Sequence, residues 1–489
     1  MCESTGSVKK YWKIMDVLAL VFLLSSMLGC SARRTDNQQF LGKYYIDFTT
    51  VAKNWDGPFA EKGIPLRHYS EFGIQYQPVG IAHYALGNWD LYLSTKQAQY
   101  REKFLRMADW FCENLVIKGD FGVWEYHFDY PRFLLKAPWP SAMSQGEAIS
   151  VLARAYQITQ EKRYLGCAEL ALASFKAPLE EGGVRYRDED GSIWYEEYPS
   201  LVEPPHVLNG FIFALFGLYD FYKITGSEEA LALFNEGIGT LRANLGRWDL
   251  GLWSRYDLTD LYGQDTFLFR FVTDNKHPKS PHPIDMIVLR TLTEDGSEVS
   301  KIMLDLGAED DATGVAVNGT RLYCSPGYQD WGEPYVLDGK SLRNYENRAG
   351  RYAHAPFEFV IGLEPSYKYC LEIFYKDTVN ESVYLEAYAK GVKYIRFGEL
   401  ASVGDGEWKT TILELPLGLL TIMKKGAPSS YHRLHIQQLQ TLFGMTSAEI
   451  FKDYAQLFDT YYEAVSSNQW WEDILKEIRL RKARFGDGA

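Results

Sequence analysis

The chain runs to 489 residues, of which 46% are hydrophobic. That length and apolar share build a globular protein with a sizeable core and two or three domains. Its formal net charge of -13 argues against a nucleic-acid partner, and an anionic ligand would need a local cluster of cations to overcome the global field. The 34 tyrosines, 27 phenylalanines and 13 tryptophans suit sugar handling, in which aromatic faces cover the C–H patches of pyranose rings, and equally suit a large core. The cysteines Cys2, Cys30, Cys112, Cys167, Cys324 and Cys370 show no C-x-x-C spacing and no histidine cluster, so no structural zinc site is expected. Cys324 and Cys370 share a strand-rich region and could pair, whereas Cys112 and Cys167 read as free thiols on apolar helix faces.

In chain order, Lys9, Lys10 and Lys13 precede the apolar run Val17 to Leu28, too short to span a bilayer with ease, which ends at Leu28-Gly29-Cys30. Residues 1–30 resemble a bacterial lipoprotein signal with lipid on Cys30, and 31–40 read as a polar tether. Met27 stands where leucine is usual, which leaves an uncleaved anchor open. Either outcome predicts a cell-envelope protein, periplasmic or on the outer membrane, that meets the membrane only through its N-terminal anchor.

From residue 79 helical periodicity comes in pairs. Val79 to Thr95 precedes a helix striped by Phe104, Ala108, Phe111 and Leu115; one from Met143 faces Ile149, Leu152, Ala153 and Tyr156 inward; another covers Arg163 to Phe175. Leu208 to Tyr219 follows, and Ser227 is placed to cap a helix running to Leu245. Late in the chain Ile436, Leu439, Leu442 and Phe443 mark a further helix, and Thr446 with Glu449 reads as a capping box for the next. Short aromatic excursions separate the pairs: Gly122 to Tyr126, Val184 to Pro199 with an Asp190-Gly191 turn, and Gly251 to Leu258. Helix pairs and hairpins recurring about every sixty residues predict an incomplete α/α toroid whose hairpins line a common cleft.

Residues 263–428 interrupt this repeat with β-branched and aromatic runs at Phe267–Val272, Ile284–Leu292, Lys301–Leu306, Val315–Val317 before Asn318-Gly319, Tyr369–Tyr375, Val383–Ala387 and Trp408–Leu415. The expected fold is therefore mainly α with an inserted β-sandwich of jelly-roll type, the toroid occupying 41–262 and 429–489. The insertion fits a carbohydrate-binding module or a packing buttress, and Trp331 and Trp408 fit sugar stacking or core. The basic run Lys476, Arg479, Arg481, Lys482 and Arg484 reads as a solvated helix face or as a guide for an anionic chain.

Chemistry concentrates at Trp194-Tyr195-Glu196-Glu197-Tyr198-Pro199 and the Val207-Leu208-Asn209-Gly210 that follows. Two carboxylates among aromatics, closed by a proline that stops regular structure, deliver acids and phenols to the mouth of a buried helix. Trp139 to Gly146, Tyr256-Asp257-Leu258 and Tyr431-His432-Arg433-Leu434-His435-Ile436-Gln437-Gln438-Leu439 complete four separated motifs. Their order and wording resemble the C-terminal helical domain of the D-glucuronyl C5-epimerases, which convert D-glucuronate to L-iduronate within heparosan-type chains. The resemblance covers about 70–262 and 429–465.

It implies an acid/base pair at Glu197 and Tyr431, supporting tyrosines at Tyr198 and Tyr256, and cleft positions at Asn209, His432, His435, Gln438 and Gln145. Three departures stand out: the β-rich segments that precede the helical domain in the animal enzymes are absent, the 263–428 insertion is extra, and Thr259 replaces an arginine thought to grip the uronate carboxylate. Arg255 and Arg433 are the nearest sequence candidates for that grip.

Inverting C5 of a uronate requires two acid/base groups on opposite faces of the ring and no redox cofactor. Burial among Trp194, Tyr195 and Tyr198 should raise the pKa of Glu197, and a cation such as Arg433 should lower that of Tyr431. The expected partner is thus a uronate-containing polysaccharide, and monomer and homodimer both stay open. A polysaccharide lyase uses the same C5 proton abstraction, a glycoside hydrolase would need a second carboxylate such as Asp257, and a lipid-anchored binding protein would need only the aromatic surface.

Overall fold

Three helices are apolar on nearly every side, and the rest of the helical region is arranged around them. The computed structural model describes residues 40–259, 263–273, 282–307, 320–322, 324–325, 328–329, 331, 334–343, 354–389, 392–400 and 402–485. The expected signal, Cys30, the tether up to residue 39 and the 315–319 turn lie outside these residues.

A short α1 (Thr49–Lys53) leads to α2 (Pro78–Thr95), then α3 (Ala98–Glu113), α4 (Ala142–Thr159), α5 (Lys162–Ala173), α6 (Leu208–Thr225) and α7 (Glu228–Asn244). Every residue from Ala142 to Ala155 and from Leu208 to Leu218 is buried, as expected of helices without a polar face. Their partners α3, α5 and α7 each bury a single stripe, such as Phe104, Met107, Ala108 and Phe111. After the strands come α8 (Leu417–Lys425), α9 (Ser429–Thr446), α10 (Glu449–Ser467) and α11 (Trp471–Phe485). The helices α2, α4, α6 and α9 pack side by side in that order, with α3, α5, α7 and α10 each against its sequence neighbour.

At the α4–α6 crossing the backbones nearly touch: a Cβ on Gly217 would lie 2.1 Å from the Gly146 carbonyl oxygen. A buried ion pair fixes the far end of this crossing. Arg154, 1% exposed, donates to Asp220, fully buried, at 2.5 Å, and Ser150 and Tyr45 add hydroxyl bonds at 2.7 and 2.6 Å. Asp220→Ala leaves the guanidinium buried and unpaired, and a loss of about 3–5 kcal/mol is expected in urea unfolding. A loss below about 1 kcal/mol would show that the pair contributes little.

Two antiparallel sheets lie between α7 and α8. Their strands are β1 (Gly263–Thr273), β2 (Ile284–Thr293), β3 (Glu298–Asp305), β4 (Thr320–Leu322), β5 (His354–Leu363), β6 (Tyr367–Lys376), β7 (Val383–Ala389), β8 (Lys393–Leu400) and β9 (Trp408–Leu415). One sheet has the order β3-β2-β6-β9 and the other β4-β5-β1-β7-β8. Strict alternation of buried positions along β6 shows one face turned to a core. The five-stranded sheet meets the helices through α8 on β1 and β7 and through α11 on β8. The architecture is mainly α with inserted β.

Several expectations change in detail. Strands β4, β5 and β8 and helices α1 and α8 were not anticipated, and α11 was anticipated only as a basic helix face. Helix α10 begins after Ala448 without a side-chain cap, because the Thr446 hydroxyl bonds back to the Leu442 carbonyl at the end of α9. Ser227 does cap α7, accepting from the Ala230 amide at 3.3 Å. Trp331 is core, its indole donating to the Pro356 carbonyl, and Trp408 lies beneath the ammonium groups of Lys340 and Lys376. Cys370 is a free thiol, so the Cys324–Cys370 bridge is not formed, and Cys112 and Cys167 are also free, their side chains in hydrogen-bonding contact.

Candidate active site

The strand Ile193–Tyr195 pairs with Arg185–Arg187 and ends at the two glutamates, whose side chains part company. Glu196 is absorbed by His206, which offers Nδ1 at 2.5 Å and its backbone amide at 3.1 Å. Glu197 instead lines a cavity of about 510 Å³, within the range of about 300–1,000 Å³ common to small-molecule sites. Its carboxylate lies against the first turn of α6, and its Oε2 is buried without a hydrogen-bond partner. Burial pushes its pKa up to about 8; Tyr198 and Arg132 pull down, and the charges of Glu147 and Glu196 push further up.

The glycine after Asn209 creates that position: a Cβ on Gly210 would fall 2.2 Å from Glu197 Oε2 and 2.7 Å from its Cβ. Gly210→Ala should therefore displace the carboxylate and reduce turnover about 10- to 100-fold with the fold intact, measured as initial rate beside a circular dichroism spectrum. Full activity in that variant would mean that the carboxylate's position is not critical.

Phenols lie in and beside the same cavity. Tyr431, in the first turn of α9, borders the same cavity and is 36% exposed. Its ring meets Tyr256 edge-on at 5.0 Å, and the Tyr256 and Tyr198 hydroxyls are 3.5 Å apart. Tyr198 in turn stacks on Phe133 at 4.4 Å. Burial raises the pKa of Tyr431, Tyr198 and Tyr256, with Glu197's charge adding to each. The lowered Tyr431 expected from a neighbouring cation is thus overturned. Arg433 is exposed and lies over Tyr462 at 5.5 Å, while the cations that do act on Tyr431, Arg132 and Arg67, are outweighed by burial.

Of the other residues singled out from sequence, Asn209 lines the cavity, and Arg255, Arg433, Gln145, His432, His435 and Gln438 do not. Gln145 is buried, bridging the Trp124 amide, the Gly122 carbonyl and Ser174. His432 gives Nε2–H to the Phe458 carbonyl, and Ser254 bonds the Nδ1 atoms of both His432 and His435. Burial holds His432 down to about 3 and His435 well below its usual value, so both are neutral struts. Gln438 holds the start of α6 through the Asn209 carbonyl at 3.0 Å, and Arg255 is buried with its guanidinium on the Thr259 carbonyl.

The cavity is completed by residues the sequence reading missed as ligands: Arg67, Tyr69, His83, Tyr126, Tyr130 and Trp139. Trp139 stood in a recognised motif, and Tyr126 closed an aromatic excursion. Arg67 and His83 carried no local signal. Beside the cavity, Arg132 lies over the Tyr256 ring at 5.4 Å and pairs with buried Asp257 at 3.2 Å. Thr259, where the arginine is missing, bonds Asp257 and receives a bond from Lys425 at 2.8 Å.

The fold and site together define a protein of paired helices in which one cavity is lined by a buried acid and several phenols. The family model of the D-glucuronyl C5-epimerase C-terminus matches residues 118–267, which relates this part of the chain to that family. The chain is 35% identical to a D-glucuronyl C5-epimerase of Caenorhabditis elegans over 179 residues, 34% of this chain and 29% of that relative. An uncharacterized protein of Methanocaldococcus jannaschii is 33% identical over 296 residues, 57% of this chain and 92% of the relative. Among solved structures, a family 76 glycoside hydrolase (mannosidase) from Bacteroides thetaiotaomicron aligns with a TM-score of 0.26 and 15% identity, over 38% of this chain and 48% of that one, too little to bear on the fold.

Proposed function

We propose that the protein is a C5-epimerase converting D-glucuronate to L-iduronate units within a heparosan-like polysaccharide. The observation that carries this reading is that Glu197 and Tyr431, separated by more than two hundred residues, border one sugar-sized cavity. In the proposed reaction one of the pair removes the C5 proton, the electrons pass into the adjacent carboxylate as an enolate-like intermediate, and the other delivers a proton to the opposite face. Glu197, raised to about 8, holds its proton loosely at neutral pH and can act in either sense, as general acid–base catalysis favours. Tyr431, raised by burial, is protonated and serves first as the donor. Tyr198 and Tyr256 are proposed to donate hydrogen bonds to the charge that develops on the intermediate.

The helix row is proposed to be an incomplete α/α toroid and the two sheets a sandwich that binds the polysaccharide away from the cavity. Lipid on Cys30 is the proposed tie to the cell envelope. The test is proton NMR of heparosan and of plain glucuronan incubated with the protein in heavy water. Deuterium entering C5 with the chain intact and iduronate signals appearing supports epimerisation. An unsaturated uronate absorbing in the ultraviolet would replace it with a lyase.

A further inference from the structure

An anionic sugar entering a protein of net charge -13, beside Glu197, needs cations inside the cavity itself. Among the described residues that line it, two side chains can be cationic, Arg67 and His83. His83 projects from α2, and its Nε2 lies 2.9 Å from Oε1 of Glu147 on α4. Glu147 is completely buried and its second oxygen, Oε2, has no partner. Phe48 stacks on the imidazole at 3.9 Å and 16°, so ring plane and rotation are both fixed. With Nε2–H committed to Glu147, Nδ1 is the nitrogen left for a ligand.

Glu147 is otherwise an expensive residue. A buried carboxylate with one partner costs several kcal/mol, and this one also opposes the ionisation of Glu197. Its position is accounted for by holding His83 in one fixed orientation at the cavity wall. Arg67, on the strand Arg67–Tyr69, is held over the Trp55 ring at 4.7 Å with Nη1 on the exposed Asp56 at 2.9 Å, and its charge reaches both Tyr69 and Tyr431. Trp55, which carries Arg67, packs beside α2 near Gly80 and against Tyr84, the residue after His83, so both side chains are positioned by the same helix.

We infer that Arg67 and His83 together receive the carboxylate of the reacting uronate, with Glu147 as the positioning residue for His83. The inference rests on the proposed uronate chemistry and assigns the subsite left open by Thr259. A guanidinium and an imidazole on the group bonded directly to C5 would distinguish a uronate from a neutral hexose and would stabilise the charge that reaches that carboxylate when the C5 proton leaves.

The test is calorimetric binding of a glucuronate-containing oligosaccharide and of the same oligosaccharide with its carboxyl groups reduced to hydroxymethyl. The wild-type protein is expected to prefer the acid. His83→Gln and Arg67→Gln should each reduce that preference about tenfold and leave affinity for the reduced sugar unchanged, which also shows that the variants are folded. Glu147→Gln should match His83→Gln, and the double variant should be no weaker than His83→Gln alone. A wild-type protein without preference would overturn the uronate reading itself. A preference retained in both single variants, or equal losses for both sugars, would overturn the assignment of Arg67 and His83 while leaving that reading in place.

Discussion

Glu197→Gln is expected to reduce iduronate formation about 100- to 10,000-fold and at the same time to make the protein more stable at neutral pH. The acid is buried, one oxygen is unsatisfied, and its pKa moves from an ordinary 4.5 to about 8. At pH 7 the unfolded chain has lost this proton and the folded chain still holds it, so folding must take a proton up, at a cost on the order of 3 kcal/mol. Because the folded value is the raised one, the stability associated with the neutral acid is fully present below about 4.5 and is lost as pH rises through about 8. Glutamine does not titrate and keeps a neutral group of the same shape. The variant should therefore melt above the wild type at pH 7.5, and the two should converge near pH 4. A difference in melting temperature that is the same at both pH values would mean that Glu197 is not a buried acid with a raised pKa.

The sequence made the helices legible because they are long and strongly periodic: Leu208 to Tyr219 predicted a buried helix, and α6 is one. It was less informative wherever the outcome depends on what packs from elsewhere. Glu196 and Glu197 are identical in sequence terms, yet one is hydrogen-bonded by His206 and the other is left in a cavity, a distinction set by a loop ten residues away. Tyr431 was expected to be acidified by its neighbour Arg433, but successive helix positions point in different directions, and Arg433 faces Tyr462. His83 and Arg67 lie in unremarkable surroundings along the chain. Their meaning depends on Glu147, Phe48 and Trp55, which only the helix packing brings to them. Helix α8 reads as a short apolar run after a strand, where periodicity over nine residues cannot separate the two.

Tyr431→Phe should stop inversion as completely as Glu197→Gln, yet the two variants should differ in how they exchange the C5 proton with solvent. If Glu197 and Tyr431 face opposite sides of one ring, each epimer presents its C5–H to only one of them. Removing the phenol leaves Glu197 able to take a proton from one epimer and return a solvent-derived proton to the same face, giving deuterium incorporation with retained configuration. Removing the acid leaves only the phenol for the other epimer. Burial has raised the pKa of Tyr431, so that exchange should be slow at neutral pH and accelerate as pH rises, whereas exchange by Tyr431→Phe should climb through about pH 8, where Glu197 is half ionised, and level off once the pH is well above that value. Proton NMR of D-glucuronate and L-iduronate oligosaccharides in heavy water separates the cases. Exchange of both epimers by a single variant would mean that one residue reaches both faces, and the two-sided arrangement would have to be given up.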